Sequence, residues 1–257
     1  MTDISQIFAG AQITLPSSAA LGLDASTWLI DEEVYDNRID GVNEHMSSPS
    51  PGTMPSGWKA KYLCHDLHNP HTEAFMRVFS QCPDEGTERF PPHIRAQQAD
   101  PSFEHYEAKA RKAFQQGRCR SVPPLLGWGQ SVQGEYRPVP GGYITHLVWE
   151  KVSGEVLSPE FFWSLSQSRR DLIRDKFRIA YQEILSFGWV PGGQHIGKII
   201  WNEESTDLWI SGFHISLRTE KQWSNDVLAH FELIKPPPRG PCDPLLRPRG
   251  SWDKWKW

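Results

Sequence analysis

The chain has 257 residues, of which 38% are hydrophobic and 23% charged, and its formal net charge is −4. This length suits one large domain or two small lobes, and the composition is globular rather than disordered. The charge gives no sign of a protein that binds nucleic acid over its whole surface. The start, MTDISQIFAG, has no basic segment, and no apolar run approaches the roughly 18 residues of a membrane span. We therefore expect a cytoplasmic protein without a signal peptide or a membrane helix. The four cysteines form no CxxC pair, and we expect them to be reduced thiols.

The first 46 residues are predicted to form an N-terminal extension. Apolar residues between 13 and 29 supply one or two strands. The carboxylates between 31 and 40 form either a solvated acidic face or a docking surface for a cationic ligand. The following segment, SSPSPGTMPSG (47–57), is predicted to be a loop because its prolines cannot donate hydrogen bonds to a sheet.

The next segments predict one strand and one helix. WKAKYL (58–63) is predicted to be a strand. Residues 64–101 are expected to be irregular, apart from a short helical stretch near 71–79. FEHYEAKARKAFQQ (103–116) predicts a helix, because a capping residue precedes it and a glycine follows it.

The second half of the chain alternates strands with one long helix. Strands are predicted at 122–129 and 141–152. Apolar residues at helical spacing predict a helix from Ser158 to about Phe187. Two short strands, IGKIIW (196–201) and DLWI (207–210), then form a hairpin.

A last helix is predicted over 220–234, and a basic, proline- and tryptophan-rich tail follows. The candidate RNA-binding residues of this tail are Arg247, Arg249, Lys254 and Trp255. Basic groups can follow a phosphate backbone, and tryptophans can stack on bases. A tail that packs its tryptophans across the domain, or a disordered end, is the alternative.

This order of elements resembles the protein-kinase-like superfamily, particularly its small fungal-type members. WKAK resembles the third-strand VAIK motif, which implies that Lys61 is the phosphate-contacting lysine. Glu107 resembles the glutamate of helix αC that pairs with that lysine. LVWEKVSG resembles the hinge between two lobes, around Glu150. Lys61 and Glu107 then form either a pair that lines a cleft or an ordinary ion pair between a strand and a helix.

The resemblance implies an α+β fold, namely a two-lobed protein-kinase-like fold with a truncated C-terminal lobe. The expected divisions are an extension (1–46), an N-lobe-like sheet with one helix (47–152), a truncated helical lobe (153–235) and the tail (236–257). The truncation follows because few residues remain after the last hairpin to build a substrate-binding lobe.

The residues that the superfamily uses for phosphoryl transfer are replaced in this chain. Counting back from the strand IIW puts Gly193 at the motif position of the catalytic aspartate and Lys198 at that of the metal-binding asparagine. In the same way, LWISGF puts Gly212 at the motif position of the metal-binding aspartate. Phosphoryl transfer needs a carboxylate that orients the hydroxyl and oxygen ligands for magnesium. We therefore expect neither a working kinase nor a bound metal or cofactor. The histidines of CHDLHNPH (64–71) do not complete a zinc site, because Pro70 breaks the helix that their spacing requires.

Two functions fit this pattern. In the first, the cleft is that of a repurposed enzyme of fungal secondary metabolism, with Lys61, Glu107 and His195 as catalytic residues and Lys198, Glu150 and Gln194 as binding residues. Its substrate is a small molecule or an activated acyl group. One form is an arginine-containing cyclodipeptide synthase that uses aminoacyl-tRNA, with tRNA but no DNA as a partner. The alternative is a non-catalytic pseudokinase that serves as a binding or scaffold module, in which His195 and Lys198 are ordinary loop residues.

Overall fold

The computed structural model describes residues 9–39, 55–235 and 255–257. Within these ranges the protein combines α-helices with antiparallel β-strands, in agreement with the α+β prediction. None of the described helices is long and apolar enough to cross a membrane.

The described residues belong to two compact units. One unit spans Met1–Gln116 and Pro124–Lys151, and the other spans Gly117–Pro123 and Val152–Trp257. The first is built on one large sheet, and the second on helices with short strands.

A six-stranded antiparallel sheet with the strand order β1-β2-β3-β4-β6-β5 forms the first unit. Its strands are β1 (Gln12–Leu15), β2 (Ser26–Ile39), β3 (Gly57–Asp66), β4 (Glu73–Gln81), β5 (Leu125–Val132) and β6 (Tyr143–Glu150). The range predicted as an extension contributes β1 and β2, whose Leu15, Trp28 and Ile30 are buried. These residues are part of the sheet because their apolar side chains complete its core.

Each face of this sheet carries its own core, because successive side chains of a strand point to opposite faces. Ala60, Tyr62 and Met76 belong to the core on one face. Phe79 and Leu147 belong to the core on the other face, together with Ala108 of helix α2 (Tyr106–Gln116). We call this second side of the sheet the α2 face. The unit also contains a short helix, α1 (Pro92–Arg95).

The second unit surrounds a helix of 20 residues, α4. Its helices are α3 (Pro159–Ser164), α4 (Gln167–Ser186) and α5 (Asp226–His230), and its strands are β7 (Glu155–Val156), β8 (Trp189–Pro191), β9 (Ile199–Trp201), β10 (Leu208–Ile210) and β11 (Ser216–Arg218). Phe177 and Tyr181 of α4 pack on Phe231, with ring centroids 4.7 and 5.6 Å from it. The hairpin predicted at 196–210 is present as β9 and β10.

Strand β4 overturns the prediction of an irregular stretch with a short helix near 71–79. Its side chains are buried on both faces of the sheet, so the segment EAFMRVFSQ shows a nearly continuous apolar run instead of a clear alternation. A short apolar run of this kind cannot be distinguished from a helical segment by its period alone.

The predicted helix from Ser158 to Phe187 is two helices. The break lies at Leu165, whose backbone is extended (φ −67°, ψ 155°), and Ser166 caps the second helix by accepting a hydrogen bond from the amide of Arg169. A serine side chain at this position satisfies an amide that has no partner within the helix. The last helix is also shorter than the prediction of 220–234, because α5 is confined to Asp226–His230.

Candidate functional site

Helix α2 and strand β4 form a buried cluster of charges in the first unit. Arg77 of β4 donates from Nη1 to Oε2 of Glu107. Arg111, one turn further along α2, donates from Nε to Oε1 of the same carboxylate at 3.0 Å. Glu107 is 0% exposed, and Arg77 and Arg111 are 4% and 3% exposed. Both carboxylate oxygens are therefore occupied by arginines in a site that is closed to solvent.

This cluster corrects the predicted pairing of Lys61 with Glu107. Lys61 lies on β3, directly opposite Arg77 of β4, and its ammonium forms no ion pair with Glu107. In the protein-kinase pattern, the lysine lies on the third strand and pairs with the glutamate of helix αC. In this chain the cation that holds the helix glutamate is Arg77, on the strand that precedes α2. The partner of the helix glutamate is therefore Arg77 of β4, and not Lys61 of β3.

The two arginines lower the pKa of Glu107 to about 2. Burial alone would raise this pKa, because it disfavours the charged carboxylate. The charges and hydrogen bonds of Arg77 and Arg111 outweigh burial, so the group stays ionised at neutral pH. A carboxylate with this pKa and no exposed surface is suited to hold β4 and α2 together, and it is unsuited to exchange protons with a substrate.

Lys61 lies against aromatic rings on the α2 face. Its ammonium is 3.6 Å from the ring centroid of Phe75 and 6.0 Å from that of Trp149. The guanidinium of Arg111 is also close to Trp149, at 3.9 Å. Burial, followed by the positive charges of Arg77 and Arg111, lowers the pKa of Lys61 to about 8. A lysine of this kind is neutral in a sizeable fraction of molecules near pH 8.

Glu150 takes no part in this cluster. It ends strand β6, where its backbone amide donates to the carbonyl of Pro124, and its side chain is exposed. Its predicted role as a binding residue remains a prediction.

The second unit holds the other predicted site residues. Lys198 ends a short 3₁₀ turn (Ile196–Lys198) and is 5% exposed. Its ammonium donates to the carbonyl oxygen of Gly192, and at 3.1 Å to that of Gly212. Lys198 is thus a buried residue bound by backbone oxygens, and the alternative of a surface lysine is wrong.

Gly193 and Gly212, the two glycines that the sequence predicts at carboxylate positions, both face Lys198. A Cβ atom added at Gly212 would lie 2.8 Å from Cδ and 2.9 Å from Cε of Lys198, closer than real Cβ contacts come. A Cβ added at Gly193 would lie 3.9 Å from the ammonium. Both glycines have positive φ, +78° and +56°, which side chains rarely adopt. The lysine stem therefore occupies the space that a side chain at Gly212 would need.

Gln194 and His195 lie on the loop between β8 and the 3₁₀ turn Ile196–Lys198. Gln194 donates to the hydroxyl of Tyr181 at 2.6 Å, which ties the loop to α4. His195 is exposed, and its backbone is extended, with φ −161°. The geometry thus gives Gln194 a structural contact, and the role of His195 as an acid or base stays a prediction.

The structure describes three residues of the tail, Trp255–Trp257. Lys256 forms an antiparallel bridge with Lys235, and the ammonium groups of both lysines lie over Trp163, at 5.6 and 4.3 Å from its ring. The candidates Arg247, Arg249 and Lys254 lie outside the described residues. Of the predicted RNA-binding set, Trp255 alone can be placed, next to the bridge to Lys235.

Sequence reasoning missed Arg77, Arg111 and Tyr35. The hydroxyl of Tyr35 accepts a hydrogen bond from Nη2 of Arg77, so this tyrosine completes the cluster from β2. The spacing of Glu107 and Arg111, four residues apart on a predicted helix, was an available signal for a pair. Within the described ranges, no group of three or more His, Cys, Asp or Glu residues could hold a metal ion.

Comparison with known proteins gives a distant structural likeness and no family. No protein-family model and no curated protein matches the sequence. Among solved structures, the chain is similar to the PK-1 kinase of Cydia pomonella granulovirus, with 12% identity and a TM-score of 0.41. The similarity covers 71% of this chain and 52% of the viral kinase, so the chain spans about half of that protein. A likeness of this size assigns neither an activity nor site residues to this chain.

Proposed function

We propose that this chain is a kinase-like binding module that does not transfer phosphoryl groups. The observation that carries the proposal is Lys198, whose buried ammonium is held by the carbonyls of Gly192 and Gly212. The same ammonium faces Gly193. By the resemblance, the position of Gly193 would supply the catalytic carboxylate, and the positions of Lys198 and Gly212 the ligands for magnesium.

The chemistry of Lys198 supports this reading. Magnesium is bound in proteins by carboxylates, substrate phosphates and water. An ammonium repels a divalent cation and donates hydrogen bonds instead of accepting a metal. Substituting an aspartate at Gly212 would also push its Cβ into the stem of Lys198. We therefore infer that this loop is built around an internal lysine in the place of a metal ion.

The pairing of Glu107 and Lys198 with groups inside the protein favours a binding module over an enzyme. Glu107 has both oxygens bound to arginines and no exposed surface. Lys198 is 5% exposed and bound to two backbone carbonyls. A general acid or base must reach a substrate within hydrogen-bond distance, so we infer that these two residues serve structure.

The repurposed enzyme is the second candidate, and Lys61 favours it. Its lowered pKa, about 8, gives the amine the neutral fraction that a nucleophile or base requires. An aminoacyl-tRNA-dependent, arginine-containing cyclodipeptide synthase of fungal secondary metabolism would be one such enzyme. Filter binding of bulk tRNA at two salt concentrations tests it, because phosphate contacts make binding strongly salt-dependent. Tight, salt-sensitive binding would favour the enzyme, and no binding would count against it.

An assay with γ-labelled ATP and magnesium tests the proposed module. Kinases turn over at about 1–100 per second, so a stoichiometric amount of protein incubated for an hour detects even a very slow transferase. We expect no release or transfer of the label above that of a buffer blank. Label on the protein, on a substrate or in free phosphate that scales with protein concentration would contradict the proposal.

A further inference from the structure

The described end of the tail, residues 255–257, is held to the second unit by backbone hydrogen bonds at one residue. The amide of Lys256 donates to the carbonyl of Lys235 at 2.9 Å, and the amide of Lys235 donates to the carbonyl of Lys256 at the same distance. Two reciprocal bonds of this kind form the hydrogen-bonded pair of an antiparallel ladder. The pair is an isolated bridge, which no other described residues extend into a strand. The tail is therefore bound to this surface in the way that a short added strand would be.

The side chain of Lys256 meets an aromatic ring at the same place. Its ammonium is 5.6 Å from the ring centroid of Trp163 on α3, and the ammonium of Lys235 is 4.3 Å from it. Both lysines are exposed, and neither forms an ion pair with a described residue. A cation within about 6 Å of an indole centroid is attracted by the negative face of the ring. The surface thus recognises a backbone and a lysine side chain together.

The ring of Trp163 is fixed by residues of α3 and α4. Phe162, which is 0% exposed, packs edge-on against it with the ring centroids 5.2 Å apart and an angle of 87° between the rings. The guanidinium groups of Arg170 and Arg174 lie 5.3 and 5.9 Å from the same ring. None of these contacts involves the tail. The aromatic part of the surface therefore exists whether or not residues 255–257 are bound.

The backbone at Lys235 is also fixed independently of the tail. Two residues earlier, the amide of Leu233 donates to the carbonyl of Leu228 in α5 at 2.9 Å, and its carbonyl accepts from Nε of Arg174 in α4 at 2.8 Å. Leu233 is fully buried, and Ile234 is 2% exposed. The amide and carbonyl of Lys235 are therefore held in place for a second strand.

Electrostatic repulsion weakens the attachment of the tail. Three cations already lie around Trp163, and Lys256 brings a fourth to the same ring. Among the described residues, Asp171 is the carboxylate that pairs with this group, through Nη1 of Arg174 at 2.7 Å. Like charges at these separations repel one another. Two backbone bonds and one cation–ring contact act against this repulsion, so we expect the tail to be released readily.

We propose that Trp163 and the backbone of Lys235 form a docking site for a short peptide strand that presents a lysine between aromatic residues. Residues 255–257, with the sequence WKW, occupy this site as an internal ligand and define the chemistry of a partner. A ligand on the same chain competes at an effective concentration on the order of millimolar, so a partner must displace the tail. This inference goes beyond the proposed function, because it involves none of the residues around Lys198.

Fluorescence anisotropy with a labelled synthetic peptide of residues 250–257, GSWDKWKW, tests the proposal on the full chain. Lys256→Pro in the chain removes both the amide donor and the ammonium of the internal ligand. We expect the peptide to bind this variant at least about fivefold more tightly than the unaltered protein, because the tail no longer competes. Lys256→Arg is the matched control for the tail, since it keeps the amide and the charge and should leave peptide binding as weak as in the unaltered protein.

The contact with the indole is tested from both sides in the Lys256→Pro chain. Adding Trp163→Leu, or using a peptide with Lys256→Gln, should weaken binding by about two- to fivefold, the size of one cation–ring contact at an exposed site. Phe161→Leu is the matched control for the ring, because it removes an aromatic side chain of α3 that is 43% exposed. We expect it to change the affinity by less than about twofold.

Four outcomes would overturn the inference. They are an absence of peptide binding to the Lys256→Pro chain at millimolar concentration, equal binding to this chain and the unaltered protein, equal weakening by Phe161→Leu and Trp163→Leu, and no loss of affinity with the Lys256→Gln peptide. The melting temperature of each chain shows that it folds, and the altered peptide tests the same contact if Trp163→Leu does not. Phosphoryl transfer from labelled ATP would overturn the proposed function alone, whereas absent peptide binding would overturn this inference alone.

Discussion

Glu107→Gln is expected to destabilise the protein by about 3–5 kcal/mol, because it leaves buried arginines without their counter-charge. The carboxylate accepts from Arg77 and Arg111 and has no exposed surface, so water cannot replace it. A glutamine has nearly the same shape but neutral charge, and its amide nitrogen would face one of the guanidinium groups. Urea denaturation followed by fluorescence, with tryptophan as the probe, measures the loss.

Two comparisons separate the effect of Glu107→Gln from a general sensitivity of α2 to substitution. Glu104→Gln breaks the partly exposed pair with Lys112, whose side chains are 23% and 27% exposed, and should cost less than about 1 kcal/mol. Arg77→Met added to Glu107→Gln should cost less than the sum of the two single changes, since the partners interact. An additive double variant, or a loss with Glu107→Gln no larger than with Glu104→Gln, would contradict the cluster.

The loss of stability caused by Glu107→Gln should depend on pH in a defined direction. The pKa of Glu107 is lowered from 4.5 to about 2 in the folded protein. Its contribution to the free energy of unfolding is therefore complete above about pH 4.5 and is lost as the pH falls toward 2. The difference between the unaltered protein and Glu107→Gln should shrink over this interval, and a difference that stays constant down to pH 2 would contradict the assignment.

Lys198→Met is expected to lower the free energy of unfolding by at least about 2 kcal/mol, which is the second largest effect expected among these variants. The methionine keeps most of the apolar stem that packs on Gly212 but removes the donor for the carbonyls of Gly192 and Gly212. A buried acceptor left unpaired costs about 1–3 kcal/mol. The free energy of unfolding in urea measures the change.

Lys221→Met is the control for Lys198→Met. Lys221 is an exposed residue of the same unit, so its replacement should change stability by less than about 0.5 kcal/mol. Equal stability of the two variants would mean that the ammonium of Lys198 does not hold the loop together, and the structural basis of the proposed function would be lost.

The sequence predicted the helix and the hairpin that carry the candidate residues, but it misplaced the strand that completes the buried cluster. α2 was predictable because a capping residue precedes the segment 103–116 and Gly117 follows its end, although the helix itself begins at Tyr106. β4 was not, because both of its faces are buried and its pattern lost the alternation of a strand. The choice of Lys61 as the partner of Glu107 followed directly from that error, since WKAK then appeared to be the last strand before the helix.

The burial of Lys198 could not be predicted from the sequence, for a different reason. The segment 196–201 was predicted as a strand, whereas Lys198 ends a 3₁₀ turn that precedes β9. A lysine is rarely buried unless it is paired, so a surface location was a natural alternative. The contact depends on two glycines, 5 residues before and 14 residues after Lys198 in the chain, that leave room for its stem. Such a contact between distant segments has no period or motif in the sequence.

The melting temperature of the full chain with ATP, measured in magnesium and in EDTA, tests the central claim most directly. A ligand at about 100 times its Kd stabilises the folded state by about 2.7 kcal/mol, which is several degrees for a protein of this size. We expect the shift with ATP to be the same in both buffers or larger in EDTA. The reason is that Gly193, Lys198 and Gly212 offer an ammonium and no carboxylate with which to bind magnesium. A shift that appears only with magnesium would show that the chain binds the metal–nucleotide complex and would contradict the claim.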